Sequence, residues 1–219
     1  MLVSLLICYL IFLGIYCYLE KQDNFRYATI FKVLLSLFVA IVSWYGYFNI
    51  EGVSSLYILI PIGLSFAVPA DYFLQYIKKS ENLYRAGIIS FGLMHISLLT
   101  AFFLLFGFHI LEVIICAGFL IYLALIQKFQ HWNDLGGVKL ELSIYTVLVT
   151  LMGAKAISIF ILNPTNATFF LALGGFFFFV SDFFLGEWGY RKEKYLYLFL
   201  NRSIYFIGQL ALAFYILFI

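Results

Sequence analysis

Apolar segments long enough to cross a lipid bilayer follow one another along the whole chain, with only short polar connections between them. Hydrophobic residues make up 65% of the sequence and charged residues 11%, whereas soluble domains contain about half and about a quarter. We therefore predict an all-α polytopic membrane protein, a bundle of eight transmembrane helices in one domain that covers residues 1–219. The predicted helices cover residues 2–19, 28–48, 54–77, 86–106, 108–127, 142–162, 167–186 and 195–218.

Basic residues outside the predicted helices lie in the connections that follow the first, third, fifth and seventh helix. Cytoplasmic loops carry the excess of lysine and arginine in membrane proteins, so we predict that these four connections are cytoplasmic and that both termini lie outside. The residues concerned are Lys21, Arg26, Lys78, Lys79, Arg85, Lys128, Lys139, Arg191, Lys192 and Lys194. Three other basic residues fall inside predicted helices, namely Lys32, Lys155 and Arg202.

Two short segments resemble each other, and each places an aspartate within an apolar helix: residues 70–74, with Asp71, and residues 181–185, with Asp182. A charged side chain in the bilayer costs about 2.5 to 3.5 kcal/mol even on lenient scales unless it has a partner. Two aspartates at matching depth therefore indicate one shared site. Each lies on the third helix of a four-helix half, which indicates a parallel internal repeat of residues 1–106 and 108–219.

Further polar residues are predicted at the same depth as the two aspartates, in the cytoplasmic half of the bundle. We expect them to line one polar cavity open to the cytoplasm; they are Lys32, His95, Arg202, Tyr205 and Gln209. Three alternatives stay open. Lys32 or Arg202 extends to the lipid headgroups, or either forms a purely structural ion pair with an aspartate, and His95 is an interhelical hydrogen-bonding link.

Other intramembrane residues are interpreted structurally. Glu112 and Lys155 lie in the outer half, and we predict an ion pair between them away from the site. Pro69 removes a backbone hydrogen bond, so the third helix is predicted to bend just before Asp71. Gly174 and Gly175 are predicted to allow close approach of a neighbouring helix or a lipid chain.

Cysteine and histidine give little support for a metal or cofactor site. Cys8 and Cys17 share one predicted helix and lie too far apart for a mutual disulfide. Two histidines, His109 and His131, fall at or in connections, so the usual set of metal ligands is hard to assemble. We expect neither a metal nor a cofactor.

Short motifs occur in order along nearly the whole chain and resemble those of the YhhN-like lysoplasmalogenases. They are Phe31-Lys32, Asp71 with Leu74, Ala86-Gly87 followed by Phe91 and His95, Tyr145 with Met152, Ser181-Asp182, and Tyr205-Phe206-x-Gly208-Gln209. The family pattern differs at Val33, where proline is usual, at Ala70, where glycine is usual, and in a tyrosine that is missing shortly after His95.

The resemblance implies an integral membrane hydrolase that cleaves the vinyl ether of lysoplasmalogens to a fatty aldehyde and a glycerophospho-alcohol. It implies that Asp71 and Asp182 are the catalytic pair. We predict that the residues that bind substrate or support this pair are Lys32, His95, Tyr145, Arg202, Tyr205 and Gln209. The expected partners are the lysophospholipid substrate and membrane lipids, with no nucleic acid. The expected location is the inner membrane of a bacterium, with the active site facing the cytoplasm.

The residues themselves suit this chemistry, because vinyl ether hydrolysis needs a carboxylic acid to protonate carbon and a carboxylate to activate water. Lys32 would keep one carboxylate ionised or bind the lipid phosphate. Two alternatives come from other classes: a proton-coupled transporter of small molecules or lipids, and a serine-dependent lipid hydrolase that uses Ser90 or Ser97 with His95. The oligomeric state, the headgroup and the identity of the proton donor stay open.

Overall fold

The structure, a computed structural model, describes residues 2–50, 52, 54–77, 79–130, 136–191 and 193–219. These residues form eight α-helices, and no strand occurs among them, which confirms the predicted all-α fold class. The helices are α1 (Leu2–Lys21), α2 (Phe25–Asn49), α3 (Leu59–Leu74), α4 (Glu81–Phe106), α5 (Ile110–Gln130), α6 (Lys139–Leu162), α7 (Asn166–Tyr190) and α8 (Tyr195–Leu217). Short 3₁₀ turns, Ser55–Ile58 and Gly136–Val138, precede α3 and α6.

Six of these helices are long and apolar enough to cross a membrane: α2, α3 with its preceding turn, α4, α6, α7 and α8. The apolar stretch Ile110–Ile126 of α5 is shorter. The chain is therefore an integral membrane protein, whereas spans at α1 and α5, and both termini outside, stay predictions.

The helices extend beyond the predicted spans at several ends. Helix α4 begins at Glu81 rather than at residue 86, and α7 ends at Tyr190 rather than at residue 186. Hydropathy locates the apolar part of a helix, while backbone hydrogen bonds continue into its polar ends. At the start of α4, for example, Ser80 accepts a hydrogen bond from the backbone N–H of Leu83 at 3.4 Å. Helix α3 is instead shorter than predicted, because the turn before it is 3₁₀ and it ends at Leu74.

The starts of α2, α4, α6 and α8 lie at one end of the bundle, which we call the basic end. The hydroxyl of Tyr195 donates to the carbonyl of Cys17 at 2.7 Å, joining the start of α8 to the end of α1. Arg85 of α4 donates to the carbonyl of Gly137, beside α6, at 2.8 Å. Of the residues named above, Lys78, His131 and Lys192 lie outside the described residues, as does the side chain of Lys128.

Glycines bring α7 close to both α6 and α8, as predicted. A methyl group on Gly175 would lie 2.7 Å from the Cβ of Ala156 in α6, and one on Gly174 would lie 2.7 Å from the side chain of Leu212 in α8. Because such contacts leave no room for a side chain, the three helices are held in one arrangement. Asp182 lies two turns further along α7 and is positioned by this packing.

The opposite end of the bundle contains the predicted ion pair. The ammonium of Lys155 lies 2.7 Å from the carboxylate of Glu112, and both side chains are buried. Lys155 also donates to the carbonyl of Gly107, so it connects α6 to the end of α4 and to the start of α5. This pair is structural and remote from the aspartates, as predicted. Helix α3 contains Pro69, and the bend predicted there stays a prediction.

Candidate active site

The two aspartates line one cavity in the basic-end half of the bundle, between α3, α4, α6, α7 and α8. The predicted convergence of Asp71 and Asp182 is thus confirmed. The volume of this space is about 40 Å³, enough for a water, which needs about 10–15 Å³. It is lined by Asp71, Leu74, Tyr84, Ile88, Phe91, Leu142, Tyr145, Asp182, Leu185, Asn201, Arg202 and Tyr205.

Asp71 is buried and has three polar partners. The ammonium of Lys32 lies 3.3 Å from its Oδ1, while the hydroxyls of Ser36 and Tyr205 both donate to its Oδ2, the latter at 2.5 Å. Lys32 and Ser36 are four residues apart in α2 and therefore lie on one helix face. Lys32 is fully buried, so it does not extend to the headgroups. A cation and two donors together stabilise a carboxylate at Asp71.

Asp182 has a different environment. The hydroxyl of Tyr145 donates to its Oδ2 at 2.5 Å. Among the described residues, no other hydrogen bond and no ion pair reaches this carboxyl group, so its Oδ1 is available to a substrate or a water. Asp182 is also partly exposed, whereas Asp71 is buried. The structure thus brings Tyr145, known beforehand only from the family resemblance, into the centre of the site.

The polar residues of α8 divide into two groups. Gln209 donates to the hydroxyl of Tyr205, which in turn donates to Asp71, so Gln209 supports the site from behind and does not line the cavity. Arg202 lines the cavity, but its Nε donates to Glu20 of α1 at 3.2 Å. The predicted alternative of an ion pair between Arg202 and an aspartate is therefore wrong, and Arg202 ties α1 to α8.

His95 is buried behind the cavity rather than on its surface. Its ring packs against Tyr145 and Phe178, each with 5.5 Å between ring centroids, and neither ring nitrogen has a hydrogen-bond partner in the described structure. The hydroxyl of Ser97 donates instead to the carbonyl of Leu59 at 2.7 Å. His95 is thus neither an interhelical hydrogen-bonding link nor the base of a serine hydrolase in this arrangement.

Three residues that the sequence analysis missed belong to the site. Ser36 lies one helical turn from Lys32, and this spacing was a usable signal. Asn201 donates to the backbone carbonyl of Ser181 at 2.8 Å, next to Asp182. The hydroxyl of Tyr84 lies 2.8 Å from that of Tyr190, at the side of the cavity nearest the basic end. No sequence pattern singled out the latter two residues, because their contacts join helices distant in the chain.

Comparison with known proteins agrees with the resemblance noted in the sequence. The model of the YhhN family matches residues 27–216, from the first turn of α2 to the end of α8. The match therefore includes every helix that lines the cavity. No curated protein and no solved structure matches the chain.

Proposed function

Since the chain belongs to the YhhN family, we propose that it is a membrane hydrolase that cleaves the vinyl ether bond of lysoplasmalogens. The products are a fatty aldehyde and a glycerophospho-alcohol, such as glycerophosphocholine or glycerophosphoethanolamine. The observation that carries this proposal is the pair of unequal aspartates in one cavity, because the reaction needs one carboxylic acid and one carboxylate.

The contacts of the two aspartates support a different role for each. Asp71 is the carboxylate, because Lys32 and two hydroxyl donors compensate its negative charge. Asp182 is the acid, because no cation among the described residues pairs with it, and an ionised carboxylate within the membrane is unfavourable without such a partner. The hydroxyl of Tyr145 donates to Oδ2 of Asp182, so the transferable proton is carried by Oδ1.

The first chemical step is transfer of the proton of Asp182 to the β-carbon of the vinyl ether. The electrons of the carbon–carbon double bond form the new C–H bond, and the α-carbon becomes an oxocarbenium ion. The Asp71 carboxylate faces the same cavity and stabilises this cation. A water then attacks the α-carbon, and its proton passes to Asp71. The product of this step is a hemiacetal.

Collapse of the hemiacetal restores both aspartates. Asp71 returns its proton to the ether oxygen as the bond between that oxygen and the α-carbon breaks, which releases the glycerophospho-alcohol. Asp182 accepts the hydroxyl proton of the hemiacetal as the aldehyde forms. Both carboxyl groups return to their starting states, and one water is consumed. No covalent enzyme intermediate is formed.

In this scheme Lys32 holds Asp71 ionised and does not bind the lipid phosphate. It is fully buried and already paired. The distribution of lysine and arginine supports a cytoplasmic location for the basic end, and we propose that the cavity lies in the cytoplasmic half of a bacterial inner membrane.

The proposal is tested by incubating the purified protein in detergent with three lipids and measuring aldehyde release. The lipids are a lysoplasmalogen, a lysophospholipid with an ester at the same position, and an intact diacyl phospholipid. We expect aldehyde from the lysoplasmalogen and no hydrolysis of the two esters. Ester cleavage, or no aldehyde from protein that remains folded, would overturn the assignment and favour a different hydrolase or a transporter.

A further inference from the structure

A second space adjoins the aspartate cavity on the side of Asp182. It is a groove of about 280 Å³ between α5, α6 and α7, and we call it the α5–α7 groove. Its walls are mainly apolar and include Leu120, Leu123 and Ala124 of α5 and Phe179 and Phe183 of α7. Ala124 is exposed on the outer surface of the bundle, so the groove is accessible from the surrounding lipid.

The groove and the aspartate cavity share the side chains of Tyr84, Tyr145 and Asp182. The carboxyl group of the groove, Asp182, thus lies where the groove meets the cavity. Ser143 and Thr146 also line the groove, but their hydroxyls donate to backbone carbonyls of α6, and most of the remaining lining is apolar. An amphiphile with a long chain and one polar linkage has this same distribution of polarity. The linkage would lie at Asp182 and the chain along α5.

The sizes of the two spaces also favour a long hydrocarbon chain as the occupant of the α5–α7 groove. The aspartate cavity, at about 40 Å³, has room for the reacting bond and a water but not for a long hydrocarbon chain. The groove is about seven times larger and shares lining side chains with the cavity, Asp182 among them. A chain attached to a bond held between the aspartates therefore has the groove as its adjoining apolar space.

Two other spaces fit the chain less well. A groove of about 650 Å³ between α1 and α8, lined in part by Gly14, is also apolar, but neither aspartate lines it. A cleft of about 400 Å³ at the basic end is lined by Lys79, Ser80 and Glu81. Ile77 and Val138 also line this cleft, but its charged groups suit a headgroup better than a hydrocarbon chain.

We propose that the α5–α7 groove binds the unbranched alkenyl chain of a lysophospholipid and admits it directly from the bilayer, an inference that rests on the proposed function. The groove also fixes the direction of the substrate. The β-carbon is the chain-side carbon of the vinyl ether and lies against Asp182, whereas the α-carbon and the ether oxygen lie toward Asp71. This direction matches the proton transfer from Asp182 described above.

The first experiment narrows the groove with Ala124→Phe and compares lysoplasmalogens with chains of 8 and 18 carbons. Because the side chain of Ala124 is exposed where it lines the groove and is not packed in the core, the variant is expected to fold. We expect its KM for the long chain to rise at least tenfold, with kcat and the short-chain KM changed less than threefold. The matched control is Gly14→Phe, which narrows the α1–α8 groove at a position where an added Cβ has no neighbour within 4 Å, and should change nothing. Equal effects on both chain lengths, or a chain-length effect only in Gly14→Phe, would overturn the proposal.

The second experiment measures binding without catalysis. A saturated ether lysophospholipid with a diazirine near its chain end is photocrosslinked to the wild-type protein, and the modified peptides are located by mass spectrometry. We expect saturable labelling in α5 and α7 around residues 120–124 and 179–186, reduced by Ala124→Phe. Labelling of α1 and α8 instead, or no saturable labelling, would overturn the proposal that the groove binds the chain, even if aldehyde release is observed. Labelling of the groove without any aldehyde release upholds the groove and rejects the proposed reaction.

Discussion

The two halves of the bundle present the same residue in two different environments. In the first half, α1–α4, Asp71 is buried beside the ammonium of Lys32. In the second half, α5–α8, Asp182 is partly exposed and accepts one hydrogen bond, from Tyr145. The second helix of each half supplies the difference, since α2 provides a cation and α6 provides a phenol. In the proposed mechanism, two similar segments therefore supply an acid and a base because of what the neighbouring helix contributes.

The largest expected effect is on catalysis, because the proposed mechanism requires both aspartates. We expect Asp71→Asn and Asp182→Asn each to slow aldehyde release by about 10²- to 10⁴-fold, the usual contribution of acid or base assistance. The double variant should be no slower than the slower single variant by more than a few fold, since the two groups act as a unit. Initial rates at saturating lysoplasmalogen measure this effect. Ser90→Ala is the control and should retain the wild-type rate.

The pH dependence of the residual activity then distinguishes the acid from the base. A required base gives the falling limb at low pH, and a required acid gives the falling limb at high pH. Asp71→Asn should therefore lose the low-pH limb, and Asp182→Asn should lose the high-pH limb. If the two variants lose the opposite limbs, the roles are reversed and the cation beside Asp71 has another purpose.

The next largest effect is on stability, and it should differ between the halves. Asp71→Asn leaves the buried ammonium of Lys32 without its carboxylate, a loss of about 3–5 kcal/mol. Asp182→Asn keeps an oxygen that accepts from Tyr145, so we expect a loss of about 1 kcal/mol. Unfolding of both variants in the same detergent measures the difference. Addition of Lys32→Met to Asp71→Asn should recover much of the stability, and equal losses in the two single variants would contradict the asymmetry.

A smaller effect is expected from removing one hydroxyl beside each aspartate. Tyr145→Phe removes the hydrogen bond made to Asp182, and we expect a loss of about 1.5–3 kcal/mol in transition-state stabilisation, or about 13- to 160-fold in kcat/KM. Tyr205→Phe should cost less than about tenfold, because Asp71 keeps Lys32 and Ser36. Steady-state kinetics of the two variants with one lysoplasmalogen make the comparison. If Tyr205→Phe lowers kcat/KM more than Tyr145→Phe does, catalysis depends more on the hydrogen bonds of Asp71 than on that of Asp182.

The sequence predicted the fold class and the aspartate pair because both depend on simple patterns. Apolar segments identify membrane helices, and a carboxylate within one needs a partner, so Asp71 and Asp182 were expected to converge. The partner of Arg202 could not be found in this way. Glu20 is 182 residues away in the chain, and its contact with Arg202 depends on how α1 packs against α8.

The difference between the environments of the two aspartates also could not be predicted from the sequence pattern. The two aspartate segments are nearly alike, so the difference between Asp71 and Asp182 lies in other helices. Lys32 was placed at the correct depth, but depth alone did not decide which aspartate it contacts or whether it extends to the headgroups. The structure assigns it to Asp71.

The smallest effect is expected from substitution of His95, a predicted supporting residue that makes no hydrogen bond to either aspartate in the described structure. It belongs to the first half but packs against Tyr145 of the second half, and its ring nitrogens have no partner among the described residues. Phenylalanine keeps the ring contacts with Tyr145 and Phe178 and removes two buried polar atoms, which are costly when unpaired. We therefore expect His95→Phe to change kcat/KM by less than about threefold and to leave the unfolding temperature equal or higher. A loss of tenfold or more in kcat/KM at unchanged stability would mean that His95 acts on Asp182 through Tyr145 or through a water. In that case the environment of Asp182 would depend on His95 of the first half as well as on Tyr145 of α6.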